Sequence, residues 1–451
     1  MSVGAASRTI CGMRRRADAV ILLFAVLLAC SSPWLAAQDV PAATPNTGRE
    51  SERETADDAK RDATVLASLA DTSRWRSDEV GDGVWLRQRW IERLFAGPQS
   101  LTVLEIPPAA GLRFDVEAPG ALTRTSAMAT QRGALAALNG GFYNTKNGAP
   151  VGLLRLDGAL ANAATAGQGS LGVDAQGRLA LAVRPAGDWP EVHEALGAGP
   201  FLLRDGEVLD HGPKQKNVRH PRSAIGRTAD GRVLWLTLDG RTDKAAGTSH
   251  EETARILLAL GCREALNLDG GGSSTLWVTG RGVCNFPCDN KRYDHEGERK
   301  VANALLLHGA AVVVADDDAA LLHGDGWQQR QDGERRHAAD FAWLADGAAG
   351  RAEFAVELPR AGRWRVFAWA PVLPAAAGLG AWQVALAGEA PVARTPVGGS
   401  WVELGVIAPR EPGRASVVFT GVAGQPLVAD AVRWLEVVAP PAAGEAKGAG
   451  R

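Results

Sequence analysis

Short apolar runs dominate the chain from about residue 84 to residue 309, and Gly, Asp or Pro interrupts each of them. Four of these runs have the length and composition of strands, at 100–106, 170–173, 179–183 and 233–238. Asp-Gly pairs at 157–158, 205–206 and 230–231 are of the kind that closes β-hairpins. The pattern lacks a regular strand–helix alternation and predicts an α+β domain with a mostly antiparallel sheet.

One helix stands out in this region. Ser249 precedes Glu252 by three residues, which is the spacing of a capping box, and the apolar run 254–260 follows and ends at Gly261. This spacing favours Glu252 as a helix cap rather than a catalyst. A second helix is predicted over Thr125–Ala137.

A different pattern begins after residue 307. Alternating apolar segments recur at spacings typical of a β-sandwich, at 351–358, 363–370, 382–386, 401–407, 415–420 and 430–437. The tryptophans of these strands are predicted to form core. Trp327, Trp343 and Trp401 are the better candidates for stacking on a sugar, although packing is favoured there too.

The N-terminus resembles an export signal. Arg14–Arg16 precede the apolar run Ala19–Ala29, which is too short for a comfortable membrane span. Either a lipoprotein signal ends before Cys30, which would then be acylated, or cleavage falls near Ala36-Ala37. We therefore predict an exported protein of the bacterial periplasm or cell surface, attached to a membrane only through such a lipid anchor.

Composition divides the rest of the chain. We predict a signal peptide over 1–37, a flexible linker with one short helix over 38–78, the α+β domain over 79–310, the β-sandwich over 311–438 and a disordered tail over 439–451. The net charge of −2 over 451 residues gives no general attraction for nucleic acid, so no nucleic-acid partner is expected.

Four polar clusters interrupt the apolar runs, at 139–143, 219–223, 239–241 and 267–275. Their glycines would let a ligand approach the backbone closely. A simple turn explains Asp239-Gly240 equally well. Three consecutive glycines at 270–272, between an acid and several hydroxyls, point to a docked ligand, and such a turn can present N–H groups to an anion. It is not a Walker loop, because the lysine is missing.

The order of these motifs resembles the phosphodiester glycosidase family. ALNGGFY, Pro150-Val151-Gly152, HPRSAIG, DGR, the capped helix, NLDGGGSST and VANAL follow one another between about residues 84 and 309. The resemblance implies an enzyme that hydrolyses a sugar-1-phosphodiester, of N-acetylglucosamine type, in envelope or extracellular glycans. The alternatives are a non-catalytic envelope glycan-binding protein that retains the fold and an ordinary α-glycosidase. Three further motifs, LPRAGRWRVFAW, GGSWVELG and VADAVRW, resemble the golvesin C-terminal type of domain over about 312–437.

A glycosyl phosphodiester requires cationic or N–H donors for its phosphate and a carboxylate near the anomeric carbon. The predicted catalytic residues are Asp269, Arg222, Asn139 and Asp239. Asp269 is the nucleophile, base or electrostatic stabiliser, and Arg222 is the phosphate clamp. The predicted substrate-binding residues are Gly140, Gly141, His220, Arg241, Gly270, Gly271, Gly272, Ser273, Thr275 and Asn303.

Several of these assignments have rivals. Arg222 is alternatively a structural ion pair with Asp239 or Asp269. His220 is either a titrating group or an exposed loop residue. Asp289 is a candidate second carboxylate, and a divalent cation bound by Asp239, Asp269 or Asp289 remains open.

Two cysteines, Cys284 and Cys288, are close together in a loop. In an oxidising compartment this spacing predicts a small disulfide. A zinc site is the rival interpretation, but a second close pair of ligands is missing. Cys262 is predicted to be buried and inert.

Overall fold

A computed structural model describes residues 47–437, except 96, 110, 213–217, 338–339, 348–349 and 375–377. The predicted signal peptide, Cys30, the start of the linker and the C-terminal tail lie outside the described residues. Residues 47–52 form the first turns of a helix. Among the described helices, none combines the length and the apolar character needed to span a bilayer.

The chain is mostly β, with several antiparallel sheets. Among the described residues, three α-helices accompany the strands: α1 (Thr47–Ala67), α2 (Thr125–Arg132) and α3 (His250–Ala259). The strands up to residue 308 are β1 (Arg76–Gly81), β2 (Val84–Leu94), β3 (Gly97–Ile106), β4 (Arg113–Glu117), β5 (Thr123–Arg124), β6 (Ala136–Asn139), β7 (Leu154–Leu156), β8 (Ala159–Asn162), β9 (Gln168–Val173), β10 (Leu179–Arg184), β11 (Glu194–Ala198), β12 (Phe201–Arg204), β13 (Glu207–Val208), β14 (Arg222–Thr228), β15 (Val233–Leu238), β16 (Cys262–Asn267), β17 (Leu276–Val278), β18 (Gly282–Val283), β19 (Lys300–Val301) and β20 (Ala304–His308).

Three large sheets and one two-stranded sheet, β19-β5, build the described residues of this first part. The strand orders of the three large sheets are β1-β2-β3-β15-β14-β16-β12-β13, β10-β9-β11-β7-β8 and β18-β17-β6-β20-β4. One hydrophobic core joins all three, with buried Leu104, Leu138 and Leu171 each contributed by a different sheet. The four predicted strands are confirmed within β3, β9, β10 and β15, and the three Asp-Gly turns connect antiparallel neighbours.

The helices agree with the sequence predictions less completely than the strands do. The capping box at α3 is confirmed, because Ser249 and Glu252 exchange side-chain-to-backbone hydrogen bonds. The prediction of one helix over Thr125–Ala137 is wrong in its second half. Gly133 adopts a left-handed conformation (φ 60°) that ends α2, and the residues that follow enter strand β6.

The predicted flexible linker is also wrong over its described part. Helix α1 and strand β1 occupy most of 47–78, and Leu66, Leu69 and Trp75 are buried in a second core beneath the large sheet. Asp62 in α1 accepts a hydrogen bond from the Phe95 amide at 3.0 Å. Only a few apolar residues of this segment pack into the core, and charged residues surround them in the sequence. The overall composition therefore looks like that of a linker, although the segment is helical.

The remaining strands are β21 (Val312–Asp316), β22 (Leu321–His323), β23 (Gln328–Arg330), β24 (Phe341–Leu344), β25 (Arg351–Leu358), β26 (Trp364–Ala370), β27 (Trp382–Leu386), β28 (Val392–Arg394), β29 (Ser400–Ile407), β30 (Gly413–Thr420), β31 (Leu427–Ala429) and β32 (Ala431–Glu436). They form sheets of order β21-β32-β26-β29, β22-β25-β30-β27-β28 and β23-β24-β31 around a shared core. The first two sheets contribute buried side chains to one shared core. None of the described sheets combines strands from both parts of the chain. The domain limits at 310 and 438 remain predictions.

The tryptophans of this second part are largely structural. Trp364, Trp369 and Trp434 are fully buried. Trp401 is only partly buried, but the Arg281 guanidinium lies 5.6 Å from its ring and 4.7 Å from that of Trp369. Arg330 likewise covers Trp343 at 4.7 Å. These contacts favour packing over sugar stacking at both positions.

A buried acidic pair gives the first part of the chain a pH-dependent stability. Glu194 accepts a hydrogen bond from the Val116 amide at 2.6 Å and is coupled to Asp115. Burial, and then the neighbouring Asp115, raise the pKa of Glu194 above its ordinary value of 4.5. A carboxyl with a raised pKa in the folded state stabilises the fold below its ordinary pKa. That stability is lost as pH rises through the raised value.

We expect the free energy of unfolding to fall by about 1–2 kcal/mol between pH 5 and pH 8. The variant Glu194→Gln keeps an acceptor for Val116 and should lose most of this dependence, as measured by urea unfolding at both pH values. The matched control is Glu191→Gln, since the Glu191 side chain is 70% exposed. An unchanged pH dependence in Glu194→Gln would contradict the assignment.

Candidate functional site

The glycine motifs at 139–141 and 267–275 meet at one side chain. Asn139 ends strand β6 and is fully buried. Its Nδ2 donates to the Asp269 carbonyl at 2.7 Å, and its Oδ1 accepts from the Ser223 hydroxyl at 2.6 Å and the Thr275 amide at 3.1 Å. Asn139 therefore joins three segments that are distant in sequence: the end of β6, strand β14 at Ser223 and the 269–275 turn.

A second asparagine fixes the neighbouring glycines. Asn303 accepts from the Gly141 amide at its side chain (2.8 Å) and from the Gly140 amide at its carbonyl (3.0 Å). A Cβ on Gly140 would collide with the Asn303 side chain, and one on Gly141 would collide with the Gly197 carbonyl. These two glycines are required for close packing of the backbone.

The turn 270–272 packs against charged side chains. Gly271 has φ 64°, and a Cβ there would lie 3.1 Å from Arg241 Nη2. A Cβ on Gly272 would collide with Asp289 and Arg299. These two form a bidentate ion pair with N–O distances of 2.6 and 2.7 Å. The glycines thus bring the backbone directly beside two guanidinium groups.

Asp269 lies at the start of this turn and is half-buried. Its Oδ1 accepts from the Gly270 amide at 2.9 Å, and its own amide donates to the Gly140 carbonyl at 3.0 Å. Burial raises the pKa of Asp269, opposed by the Ser273 hydroxyl, the Gly270 amide and the charge of Arg299. Asp269 therefore keeps part of its surface exposed, while its backbone amide and carbonyl are both held by hydrogen bonds.

Three buried polar atoms belong to this region and make no hydrogen bond within the described part of the chain. They are the hydroxyls of Ser274 and Thr275 and the Nδ2 of Asn303. Buried polar groups in native proteins are nearly always paired with protein, water or ligand. The group therefore offers both donors and acceptors to a polar ligand or to water.

The structure places Arg222 differently from its predicted role. Its guanidinium donates to the carbonyls of Thr248 (2.9 Å) and Val218 (3.0 Å) and contacts His250 Nε2 at 3.0 Å. Ser223, the next residue on β14, points to Asn139, so the Arg222 side chain leaves the opposite face of the strand. Among the described residues Arg222 forms no ion pair, which removes the rival assignment to Asp239 or Asp269. The contacts of Arg222 therefore lie around the N-terminus of α3, and its guanidinium does not point toward a phosphate beside Asp269.

Arg241 and His220 lie next to each other beside the turn. Arg241 has φ 64°, is exposed and has Nη2 3.1 Å from His220 Nδ1. It has no carboxylate partner among the residues that the structure describes. Burial, together with the charges of Arg241 and Arg222, lowers the pKa of His220, so its ring is neutral near pH 7 and can accept from Arg241.

Asp239 is a structural carboxylate in this structure. It is fully buried and accepts from the Ser100 hydroxyl (2.6 Å), the Asn285 side chain (3.1 Å) and the Phe286 amide (2.8 Å). Asn285 also donates to the Ser274 carbonyl at 3.0 Å. The predicted catalytic role is thus replaced by a supporting one, because all the described contacts of Asp239 hold the loop behind the glycine turn.

The predicted disulfide is absent, since Cys262, Cys284 and Cys288 are all free thiols. Cys284 is buried in the core, and burial raises its pKa to about 12, whereas Cys288 lies near Arg241 and Asp289. The two thiols have different surroundings despite their short separation in sequence. Cys262 is buried as predicted, and burial raises its pKa to about 12.

Asp239, Asp269 and Asp289 do not form a ligand cluster. Asp289 is engaged by Arg299 and Asp239 by three protein donors. Sequence reasoning missed Arg299 and Ser223 as parts of the site. Ser223 lies within the HPRSAIG motif and could have been found by strand alternation, whereas the pairing of Arg299 with Asp289 has no signal in the spacing.

Comparison with known proteins identifies the family of this region. Residues 132–308 match the family model described as phosphodiester glycosidase. The chain is 26% identical over 204 residues to mouse N-acetylglucosamine-1-phosphodiester alpha-N-acetylglucosaminidase, covering 40% of this chain and 38% of that protein. It is 42% identical over 70 residues to the SPbeta prophage-derived uncharacterized protein YomE of Bacillus subtilis, covering 16% and 11%. The chain thus spans well under half the length of the curated relatives it matches.

Among solved structures, the zebrafish N-acetylglucosamine-1-phosphodiester alpha-N-acetylglucosaminidase catalytic domain aligns with 49% of this chain and 82% of its own. The sequence identity is 22% and the TM-score 0.41. A hypothetical protein from Synechocystis aligns with 50% and 62%, at 17% identity and a TM-score of 0.42. The golvesin-like assignment of the second part remains a prediction. The motifs at 139–141, 220–226 and 267–275 lie inside the matched segment, and residues 132–308 belong to the phosphodiester glycosidase family.

Proposed function

We propose that this protein is an exported hydrolase that cleaves a sugar-1-phosphodiester, of N-acetylglucosamine type, in envelope or extracellular glycans. The observation that carries the proposal is the half-buried Asp269 carboxylate at the head of a glycine turn, with two guanidinium groups packed against that turn. The match of residues 132–308 to the phosphodiester glycosidase family and the activity for which the mammalian relatives are named support it.

Asp269 is the group we assign to the anomeric carbon. The phosphate of a glycosyl phosphodiester is a good leaving group, so the main demand is stabilisation of positive charge on the sugar as the bond breaks. A carboxylate fixed by Asn139 and Gly270 meets that demand as a nucleophile or as an electrostatic stabiliser.

Arg241 is the group we assign to the phosphate. It is exposed, lies against the glycine turn and has no carboxylate partner in the described part of the chain. Neutral His220 accepts from it and limits its orientations. Arg299 is paired with Asp289 and acts as a second, weaker source of positive charge. The buried hydroxyls of Ser274 and Thr275 would bind sugar hydroxyls.

The test is release of free sugar from a panel of sugar-1-phosphodiesters, followed by phosphorus NMR, beside matched aryl glycosides. We expect wild type to prefer phosphodiesters. Arg241→Gln should raise KM for phosphodiesters about tenfold, the usual cost of one charge-assisted hydrogen bond, and leave aryl glycosides unaffected. Arg113→Gln is the control, because Arg113 is exposed and remote in sequence from the glycine motifs.

Each alternative has its own outcome in this experiment. Binding of glycans by both wild type and Asp269→Asn, without hydrolysis of any anomeric phosphodiester, would leave a non-catalytic glycan-binding protein. Equal rates on aryl glycosides and phosphodiesters would favour an ordinary α-glycosidase. N-terminal sequencing and mass measurement of the mature protein test export and acylation of Cys30.

A further inference from the structure

A cluster of carboxylates lies in the second part of the chain, away from the glycine motifs. Asp316 ends β21, Asp317 begins a 3-10 turn, and Asp430 separates β31 from β32. Pairing of β21 with β32 sets Asp316 opposite Ala431, which brings Asp430 beside it. One oxygen from each of the three carboxylates lies within 4.8 Å of the others. Asp430 is the aspartate of the VADAVRW motif, and the proposed hydrolysis gives this residue no role.

The centre of this cluster is buried and has few hydrogen-bond partners among the described residues. Asp317 is 2% exposed and Asp430 is 1% exposed. Both oxygens of Asp317 and the Oδ1 of Asp316 are buried without a hydrogen bond in the described residues. Among the described residues, Asp430 accepts from the His337 amide alone, at 3.2 and 3.3 Å. Buried carboxylates without partners are costly, so these unpaired oxygens indicate a ligand that donates positive charge.

The surroundings supply little compensating charge. Among the described residues, no lysine or arginine nitrogen lies within 4 Å of the three carboxylates, and the His337 ring is 3.6 Å from Asp316. Asp318 and Asp340 form a second acidic group with Asp317 and add negative charge. The guanidinium of Arg281 acts on Asp430 only as a weak, distant charge.

We propose that Asp316, Asp317 and Asp430 bind a calcium ion that joins the first and last strands of the second part of the chain. Clustered carboxylate oxygens are the ligands of hard divalent cations, and six to eight oxygens at 2.3–2.6 Å are typical of calcium. Asp318, Asp340 and water would complete the coordination. Mg²⁺ requires a near-octahedral site at shorter distances and keeps its waters, which suits a flexible, all-carboxylate cluster less well.

The test uses the full-length protein freed of metal by chelation. Titration calorimetry with CaCl2 alone should show one bound ion, and millimolar Ca²⁺ should raise Tm by about 5 °C relative to the chelated protein. Asp317→Asn removes one charge from the crowded centre and should stay folded without metal. It should lose at least about tenfold in Ca²⁺ affinity and most of the Tm rise. Asp325→Asn, an exposed carboxylate of the same part, is the matched control and should behave as wild type.

Every outcome bears on the assignment. A rise in Tm with Ca²⁺ in wild type and Asp325→Asn, but not in Asp317→Asn, supports it. No binding by wild type, or equal binding by Asp317→Asn, overturns it, and an equal response to Mg²⁺ overturns the assignment to calcium. None of these measurements depends on hydrolysis, so the site and the proposed function can fail separately.

Discussion

Replacing Asp269 by Asn is expected to lower the rate of sugar-1-phosphodiester hydrolysis by about 10²–10⁴-fold. The amide keeps the size of the side chain and an oxygen that can accept from the Gly270 amide, but it removes the negative charge beside the anomeric carbon. Because burial raises the pKa of Asp269, loss of the charge should not destabilise the fold. The measurement is kcat at saturating substrate together with urea unfolding.

The control for this experiment is Glu92→Gln, since Glu92 is exposed on β2 and belongs to none of the glycine motifs. It makes the same chemical change at the surface and should leave kcat within about twofold. An Asp269→Asn variant with a kcat close to wild type would show that the reaction uses another carboxylate and would contradict the proposed assignment.

Replacing Asn139 by Ala is expected to lower the free energy of unfolding by about 3 kcal/mol and to reduce kcat at least about tenfold. The variant loses one donated and two accepted hydrogen bonds, and it leaves the Ser223 hydroxyl, the Thr275 amide and the Asp269 carbonyl without that partner. The Asp269 backbone is then free to shift relative to the substrate.

Ser223→Ala is the matched control, because it removes only one of these hydrogen bonds and should cost about 1 kcal/mol with little effect on kcat. Urea unfolding and steady-state kinetics of both variants separate stability from positioning. If Asn139→Ala were as stable as wild type with the same kcat, then the three-way junction would have no role in either.

Much of the fold follows from local pattern. The runs at 100–106 and 233–238 form strands because short apolar runs with β-branched residues suit a sheet that is buried on both faces. The Ser249–Glu252 spacing likewise predicts the capping box that the structure shows. The local sequence pattern predicted the wrong structure where tertiary contacts decide which element forms. Helix α1 is held by a few buried residues in a charged segment, and Gly133 ends α2 where the apolar run continues into β6.

The residues of the candidate site also fall into those that the sequence motifs predicted and those that only the structure could place. The grouping of the segments around Asn139, Gly140 and Asp269 was anticipated from the motifs, and the structure brings these residues together. Arg222 and Asp239 were assigned from residue type alone, and the direction of each side chain decides otherwise. Arg222 leaves the far face of β14, and Asp239 is satisfied by Ser100 and the 285–286 backbone and side chain.

By itself, the sequence determined the mostly antiparallel strands, the capped helix, and the family of residues 132–308, because these depend on residues that are close together in the chain or on an ordered set of motifs. Only the tertiary structure decided that Arg241 and Arg299 flank the glycine turn, that Cys284 and Cys288 remain apart, and that Asp316, Asp317 and Asp430 converge. The physical reason is that charge and hydrogen-bond partners act over a few ångströms in space. Strand pairing, rather than sequence spacing, sets those distances.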